Sequence, residues 1–408
     1  MKTMEKCIAI CFVAIFWTIS AKADGCVGTN DIRFSFLGKE YSIRTREIPE
    51  GFPNNQNNAN NFSTTIQLLD AHCSEIIPEL SLIRNKLNLS DWHYYQLIRK
   101  VSQQILSKES DYWGYTYCKW FFLARSGFKP LLCIIDNKLL LYIQSNSSIY
   151  NIPIKIIDEK QFVCMNYHDY NHDIPIEKIT PQPIQSSLVE YGHEFNYMIS
   201  TMPDLPEERY VNKTIEFTYK GETAKHDIKV FPEIKDYFIN YPVTDYRFQF
   251  NIPFSKLTYS SLIPSLQLKL KDKTKEEGVE YIMFFVRNAF GFEADSLMYG
   301  REKRFSPEES LAAERSDCED YAGLFFSLVR EVYNLPMIVL SYPDHINVAV
   351  NLEKPKGKTI LHNGKMYTVC EPTPQKKVLY LGQMEKQLRK QPYEVAYEYL
   401  PKNADAAQ

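Results

Sequence analysis

Ser316-Asp317-Cys318-Glu319-Asp320 runs directly into Tyr321, Leu324, Phe325, Leu328 and Val329, apolar residues at helical spacing. Ser316 followed by Glu319 has the spacing of a capping box, which predicts a helix with Ser316 as its N-cap and Cys318 in the first turn. Unsatisfied amides and the positive end of the helix dipole favour thiolate over thiol there. The N–H of Cys318 would also face an oxyanion formed on an attacked carbonyl. Asp317, Glu319 and Asp320 oppose ionisation, so the dipole needs a protonated histidine beside the sulfur. A thiolate–imidazolium pair is the expected resting state.

Two later stretches supply the partners. In Asp344-His345-Ile346-Asn347-Val348-Ala349-Val350 the alternation predicts a strand. Ile346, Val348 and Val350 share one face, and His345, Asn347 and Ala349 the other. In Tyr367-Thr368-Val369-Cys370-Glu371-Pro372-Thr373 a second strand ends at Glu371, because Pro372 cannot continue the ladder. A carboxylate leaving the sheet at that point can accept the second imidazole N–H and fix the tautomer. The order thiol, imidazole, carboxylate is the layout of a cysteine nucleophile with its base and orienting group.

These three motifs resemble the transglutaminase-like superfamily, papain-related enzymes with a Cys-His-Asp/Glu triad. The resemblance covers about residues 258–385. It implies Cys318 as nucleophile, His345 as general base and acid, and Glu371 as orienting carboxylate, with neither cofactor nor metal. Phe292-Glu293-Ala294-Asp295 and Tyr299-Gly300-Arg301-Glu302-Lys303 are similar to a segment before the cysteine in exported bacterial members. The chain departs from the family in having Glu371 where aspartate is usual, Ser316 before Asp-Cys, and Tyr321 after Cys-Glu-Asp. Ser316 and Tyr321 are expected to line the mouth of the site.

The chain also repeats itself. Ile32–Glu40 recurs as Ile215–Glu222, each an alternating run closed by a glycine, and Leu82–Ile105 recurs as Leu266–Phe290. Each of the latter reads as a helical segment opening near Lys86-Leu87 or Lys269-Leu270. Phe121-Phe122 answers Phe325-Phe326, Pro130 answers Pro336, and Lys160–Cys164 answers Lys365–Cys370. Four matches in one order indicate a tandem duplication, with a period far too long for a solenoid. In the first copy Gly114, Asn137 or Lys138, and Met165 stand where the second has Cys318, His345 and Glu371. The second copy carries an insert over Gly291–Asp320.

The expected organisation is α+β, with helix packed on antiparallel sheet. Residues 24–190 form a non-catalytic copy and 191–257 a small β domain. Residues 258–385 form the catalytic domain and 386–408 a tail. Residues 1–23 read as an export signal: Lys2 and Lys6, an apolar run from Cys7 to Ile19, and a cleavage site at Ala21-Lys22-Ala23. Asp24 and Gly25 make Cys26 a poor lipid acceptor, so cleavage after Ala23 is expected, with a periplasmic or extracellular product not integral to a membrane. Seven cysteines then remain, an odd count that leaves at least one thiol unpaired.

A net charge of −3 favours no nucleic-acid partner, and 15 glycines without a phosphate loop leave nucleotide binding unsupported. No close His and Cys spacing suggests a metal. The expected activity is attack on an amide of a protein or peptide, with cell-wall peptide among the candidates, through an acyl-thioester. Hydrolysis is favoured over amine transfer because water needs no acceptor site. The competing expectation is a binding or scaffold protein that keeps this fold without its chemistry.

Overall fold

The computed structural model describes residues 29–47, 62–170, 174, 182–184, 192–294 and 303–401. The export segment, Cys26, the asparagine-rich stretch expected as a loop at 54–61 and residues 295–302 lie outside the described residues. The chain is α+β: antiparallel sheets with helices packed against them.

In the first half, β1 (Thr29–Phe36) and β2 (Lys39–Arg46) form a hairpin, with Ile32, Phe34 and Phe36 buried at every second position. Leu37 and Gly38 have φ of 51° and 71°, the backbone that a two-residue hairpin turn requires. Four helices follow: α1 (Phe62–Cys73), α2 (Ile76–Lys86), α3 (Asp91–Ile105) and α4 (Tyr112–Arg125). Next come β3 (Pro130–Ile135), β4 (Lys138–Gln144), β5 (Ile149–Tyr150), β6 (Ile154–Ile157), β7 (Lys160–Cys164) and β8 (Gln182–Ile184). Five of these make an antiparallel sheet in the order β6-β7-β4-β3-β8.

The second half repeats that topology. A hairpin of β9 (Val211–Tyr219) and β10 (Glu222–Val230) turns at Lys220 and Gly221, with φ of 51° and 86°. After α5 (Ile234–Phe238), β11 (Val243–Thr244) and α6 (Tyr246–Gln249) come α7 (Lys256–Leu270) and α8 (Lys275–Arg287). The insert contributes β12 (Gly291–Phe292), α9 (Pro307–Ala312) and β13 (Arg315–Ser316), and leads into α10 (Cys318–Tyr333). The strands β14 (Met337–Tyr342), β15 (His345–Asn351), β16 (Thr359–His362), β17 (Lys365–Cys370) and β18 (Glu394–Tyr399) pair in the order β16-β17-β15-β14-β18. Strand for strand this is the order of the first sheet. The sequence matches fall on equivalent elements: the two hairpins, α4 and α10, and β7 and β17.

Three expectations are corrected. Lys86-Leu87 and Lys269-Leu270 close α2 and α7 rather than open a helix. The next helices start at Ser90, whose hydroxyl accepts the His93 N–H, and at Thr274, which forms a capping box with Glu277. Residues 192–257 build no core of their own among the described residues. Ile215, Phe217 and Tyr219 pack with Ile282, Phe285 and Phe325, while Phe195, Tyr197 and Phe238 join the core around Leu97 and Phe121. The predicted tail supplies β18, whose Tyr397 lies 5.6 Å from Phe326 on α10, ring to ring. Among the described residues no helix is long and apolar enough to cross a membrane.

The strand that carries Glu371 is clamped by a close backbone crossing. The Gly382 N–H donates to Val369 O at 3.0 Å, and Gly382 O accepts from Lys358 N at 2.7 Å. Gly382 has a φ of 75°, and a Cβ there would lie 2.7 Å from the carbonyl carbon of Lys356. Gly221 has a similar φ with nothing within 4 Å of a Cβ. Gly221→Ala should therefore cost about 1 kcal/mol from backbone strain alone. Gly382→Ala should cost more than about 2 kcal/mol, because strain and overlap add. Urea midpoints of the two variants will show that order or refute it.

Candidate active site

Cys318 is the first residue of α10, and the short strand before it fixes the entry. Arg315 and Ser316 pair in parallel with Gly291 and Phe292, and Asp317 is the extended N-cap. The Ser316–Glu319 capping box does not form. Ser316 sits in the strand, fully buried, and its hydroxyl donates to Asp320, one turn on. The other Asp320 oxygen accepts the Phe305 N–H at 2.7 Å, which ties the insert to the helix start. The same Ser-x-x-Glu spacing does form a box at Ser306 and Glu309, opening α9. Tyr321 is also fully buried, its hydroxyl donating to Phe290 O at 2.7 Å. Neither Ser316 nor Tyr321 lines a mouth.

The sheet brings His345 and Glu371 together. The β15–β17 ladder runs to Val348 opposite Cys370. The residue directly after β17, Glu371, thus falls beside Asn347, two positions from His345 on the same strand face. His345 Nε2 lies 2.9 Å from Glu371 Oε2. Glu371 is fully buried, and its Oε1 accepts the Thr373 N–H at 3.2 Å. Asn347, with its amide turned to face the carboxylate, donates to Oε2 at 2.8 Å. Arg287, at the end of α8, grips the backbone of the same residue: Nε donates to Glu371 O at 3.1 Å, and Nη1 to Leu379 O at 2.6 Å. Burial lowers the Arg287 pKa to about 10, against the opposing pull of the Glu371 charge.

Burial works against a charged His345. The hydrogen bond and charge of Glu371, helped by Asn347 and Glu319, outweigh it and raise the imidazole pKa above its ordinary value. With the Nε2 proton given to Glu371, Nδ1 is the ring atom left for exchange with another group.

The thiol has a different partner. Cys318 Sγ donates to Glu319 Oε2 at 3.0 Å, and no hydrogen bond joins it to His345 among the described residues. Burial, then the charges of Glu319 and Asp317, push the thiol pKa well above its ordinary value. The partner that the thiol takes in this arrangement is thus Glu319 rather than the imidazole expected from the sequence. Glu319 is what the two sides share, since its carboxylate accepts from the thiol and its charge favours the protonated imidazole. Cys318 is half-buried, whereas Cys73, Cys118, Cys133, Cys164 and Cys370 are free and fully buried.

Sequence reasoning missed Arg287, Asn347 and the part played by Glu319. Asn347 was visible as the residue sharing the His345 strand face. Arg287 directly follows the apolar stripe of its helix and carried no signal of its own.

The equivalent place in the first half is filled differently. Gly114 N–H donates to the N-cap Asp111 at 2.8 Å, and a Cβ there would lie 2.8 Å from Asp111 Cγ, so no thiol fits. Lys138 opens β4 as His345 opens β15, and Met165 follows β7 as Glu371 follows β17. Asn166 then stitches the strands, donating to Leu139 O at 2.9 Å and accepting the Leu141 N–H at 2.8 Å.

Among the described residues no three His, Cys, Asp or Glu side chains converge as metal ligands. A scan of protein-family models finds no match to the chain, and a search of curated proteins returns none.

Removing the Glu371 charge leaves burial to prevail, so Glu371→Gln should drop the His345 pKa below the ordinary histidine range, as read by NMR titration. The sign for stability follows from linkage. A folded-state pKa above the unfolded value contributes fully below about pH 6.5, and the contribution is lost as pH rises through the folded pKa. Urea midpoints measured from pH 5 to pH 9 should fall over that window in the wild type, whereas in Glu371→Gln they should instead rise from pH 5 to about pH 6.5.

Proposed function

We propose that this chain is an exported cysteine enzyme of the transglutaminase-like class, attacking an amide of a protein or peptide. The observation that carries the reading is the pair of His345 and the buried Glu371, 2.9 Å apart, on the sheet against which the Cys318 helix packs. A fully buried glutamate with an imidazole and an amide among its partners is an expensive arrangement for a merely structural sheet end. It is a suitable one for holding an imidazole in one tautomer.

In the proposed cycle Cys318 leaves Glu319 and passes its proton to His345 Nδ1, and Sγ attacks the carbonyl carbon. The C–N bond breaks as the imidazolium returns that proton to the leaving amine, which leaves an acyl-thioester. Water then attacks, with His345 taking its proton and the thiol regained, so the amide gives an acid and an amine. An amine in place of water would give a cross-link by the same first step. Hydrolysis remains the favoured outcome, and wall peptide is one reasonable substrate for an exported protein.

A second reading has its own support. The bond from Cys318 to Glu319, with the thiol held neutral, suits a binding or scaffold protein whose triad is unused.

Alkylation separates the two. With iodoacetamide at pH 6, the enzyme reading expects Cys318 to label ahead of the five buried cysteines. His345→Ala should then slow that labelling about tenfold or more, and Glu319→Gln should speed it, since one carboxylate opposing the thiolate is gone. Labelling of Cys318 at the rate of a small free thiol, unaltered by His345→Ala, would leave the scaffold reading standing.

A further inference from the structure

The insert that leads into the Cys318 helix also builds an open strand edge beside it. β12 and β13 form a two-stranded parallel sheet. Gly291 N–H donates to Glu314 O at 2.8 Å, and Glu293 N–H to Ser316 O at 2.9 Å. Backbone groups alternate sides along a strand, so the N–H and C=O of Phe292, between those two donors, point away from β13. Neither has a hydrogen-bond partner among the described residues. One residue thus presents a free donor and a free acceptor, the pair that a residue of extended peptide satisfies.

The Phe292 side chain stands at the same place. It is 51% exposed, and its ring lies 6.5 Å from that of Tyr321 with the planes 30° apart. Tyr321 is three residues beyond Cys318 on α10, hence its neighbour on the helix surface. A single exposed ring is ordinary on a protein. Here the ring adjoins an unpaired backbone edge, and both adjoin the proposed nucleophile. Phe292 is opposite Ser316 in register, and only the extended Asp317 separates Ser316 from Cys318. Two extended residues span about 7 Å, and paired strands stand about 5 Å apart. A peptide residue on the outer edge is therefore about two or three residues of extended chain from the sulfur. The first half, with Gly114 where the thiol would be, has no counterpart of β12 and β13 among the described residues.

We propose that the outer edge of β12 binds a peptide in extended form, its backbone paired with Phe292 and an apolar side chain laid on the Phe292 ring. This rests on the amide chemistry proposed above and narrows its substrate. The substrate is an unfolded or extended segment with an apolar residue about two or three positions from the amide attacked, rather than a side-chain amide on a folded surface. Main-chain bonds supply affinity whatever the sequence, and the ring supplies the preference.

Isothermal titration calorimetry on the full chain carrying Cys318→Ala reads docking without turnover. The probe is acetyl-Ala-Ala-Leu-Ala-Ala-amide. Serine in place of its leucine removes the apolar contact, and N-methylation of the leucine removes a backbone N–H and blocks pairing. Each change should weaken binding about fivefold or more. Adding Phe292→Ser should weaken the leucine peptide about fivefold or more and leave the serine peptide unchanged. Circular dichroism checks the fold, and should Phe292→Ser not fold, the three peptides on Cys318→Ala alone still decide. Equal binding of the three peptides, no heat from the leucine peptide at millimolar concentration, or leucine-peptide binding indifferent to Phe292→Ser would overturn the proposal. Cleavage by the wild type is scored separately. Docking without cleavage upholds the edge and counts against the amide chemistry, and cleavage with all three peptides binding alike does the reverse.

Discussion

The second half of this protein is organised around a carboxylate removed from water. Burying the charge of Glu371 costs several kcal/mol unless hydrogen bonds replace its hydration. His345, Asn347 and the Thr373 N–H supply them, and each must be placed to within a few tenths of an ångström. That requirement fixes the β15–β17 register, because a slip of one residue would turn His345 and Asn347 to the opposite face. It also explains why Arg287 is committed to the Glu371 and Leu379 carbonyls rather than to a carboxylate of its own. The arginine holds the strand end from outside the sheet, while the glycine crossing at Gly382 holds it from the side.

Set beside this, the first half shows the same topology answering a different need. Its strand end carries Met165, which requires no partners, and its helix start is closed by the Asp111 cap over Gly114. Polarity has moved one turn along, to Asn166 and Asp169, where it binds strands and helices to one another. Two copies of one fold therefore spend their buried polar groups in different places. In the first they stitch elements together, and in the second they orient a ring.

The elements were largely legible in the sequence, because alternation and helical spacing respond to burial and burial is the dominant local signal. The hairpins, the Phe121 and Phe325 helices and the strands ending at Cys164 and Cys370 could be read this way. The His345–Glu371 encounter was legible for a further reason: a proline after a strand limits where its last side chain can go. What could not be read was competition. Ser316 has two acidic residues within a turn, Glu319 at capping distance and Asp320 one further, and only the buried Phe305 N–H decides that Asp320 takes the hydroxyl. The stretch 192–257 misled in the same way. Its alternation is genuine, but its apolar faces were claimed by two different neighbours.

The thiol shows how magnitudes settle such a contest. A helix start favours an anion by about 0.3–1 kcal/mol when exposed, and by up to about 2 kcal/mol when partly buried. Two unit charges about 4 Å apart repel by roughly 4 kcal/mol at an effective dielectric of about 20. Burial, then the charges of Glu319, Asp317 and Asp320, all raise the Cys318 pKa, so the dipole alone is outmatched. A thiolate at this position needs a cation as close as Glu319 now is, the part proposed above for His345. Of the acidic residues that oppose a thiolate here, Glu319 is also one that favours a protonated His345. Under the chemistry proposed above, these flanking carboxylates are the cost that an imidazolium must offset before the sulfur can ionise.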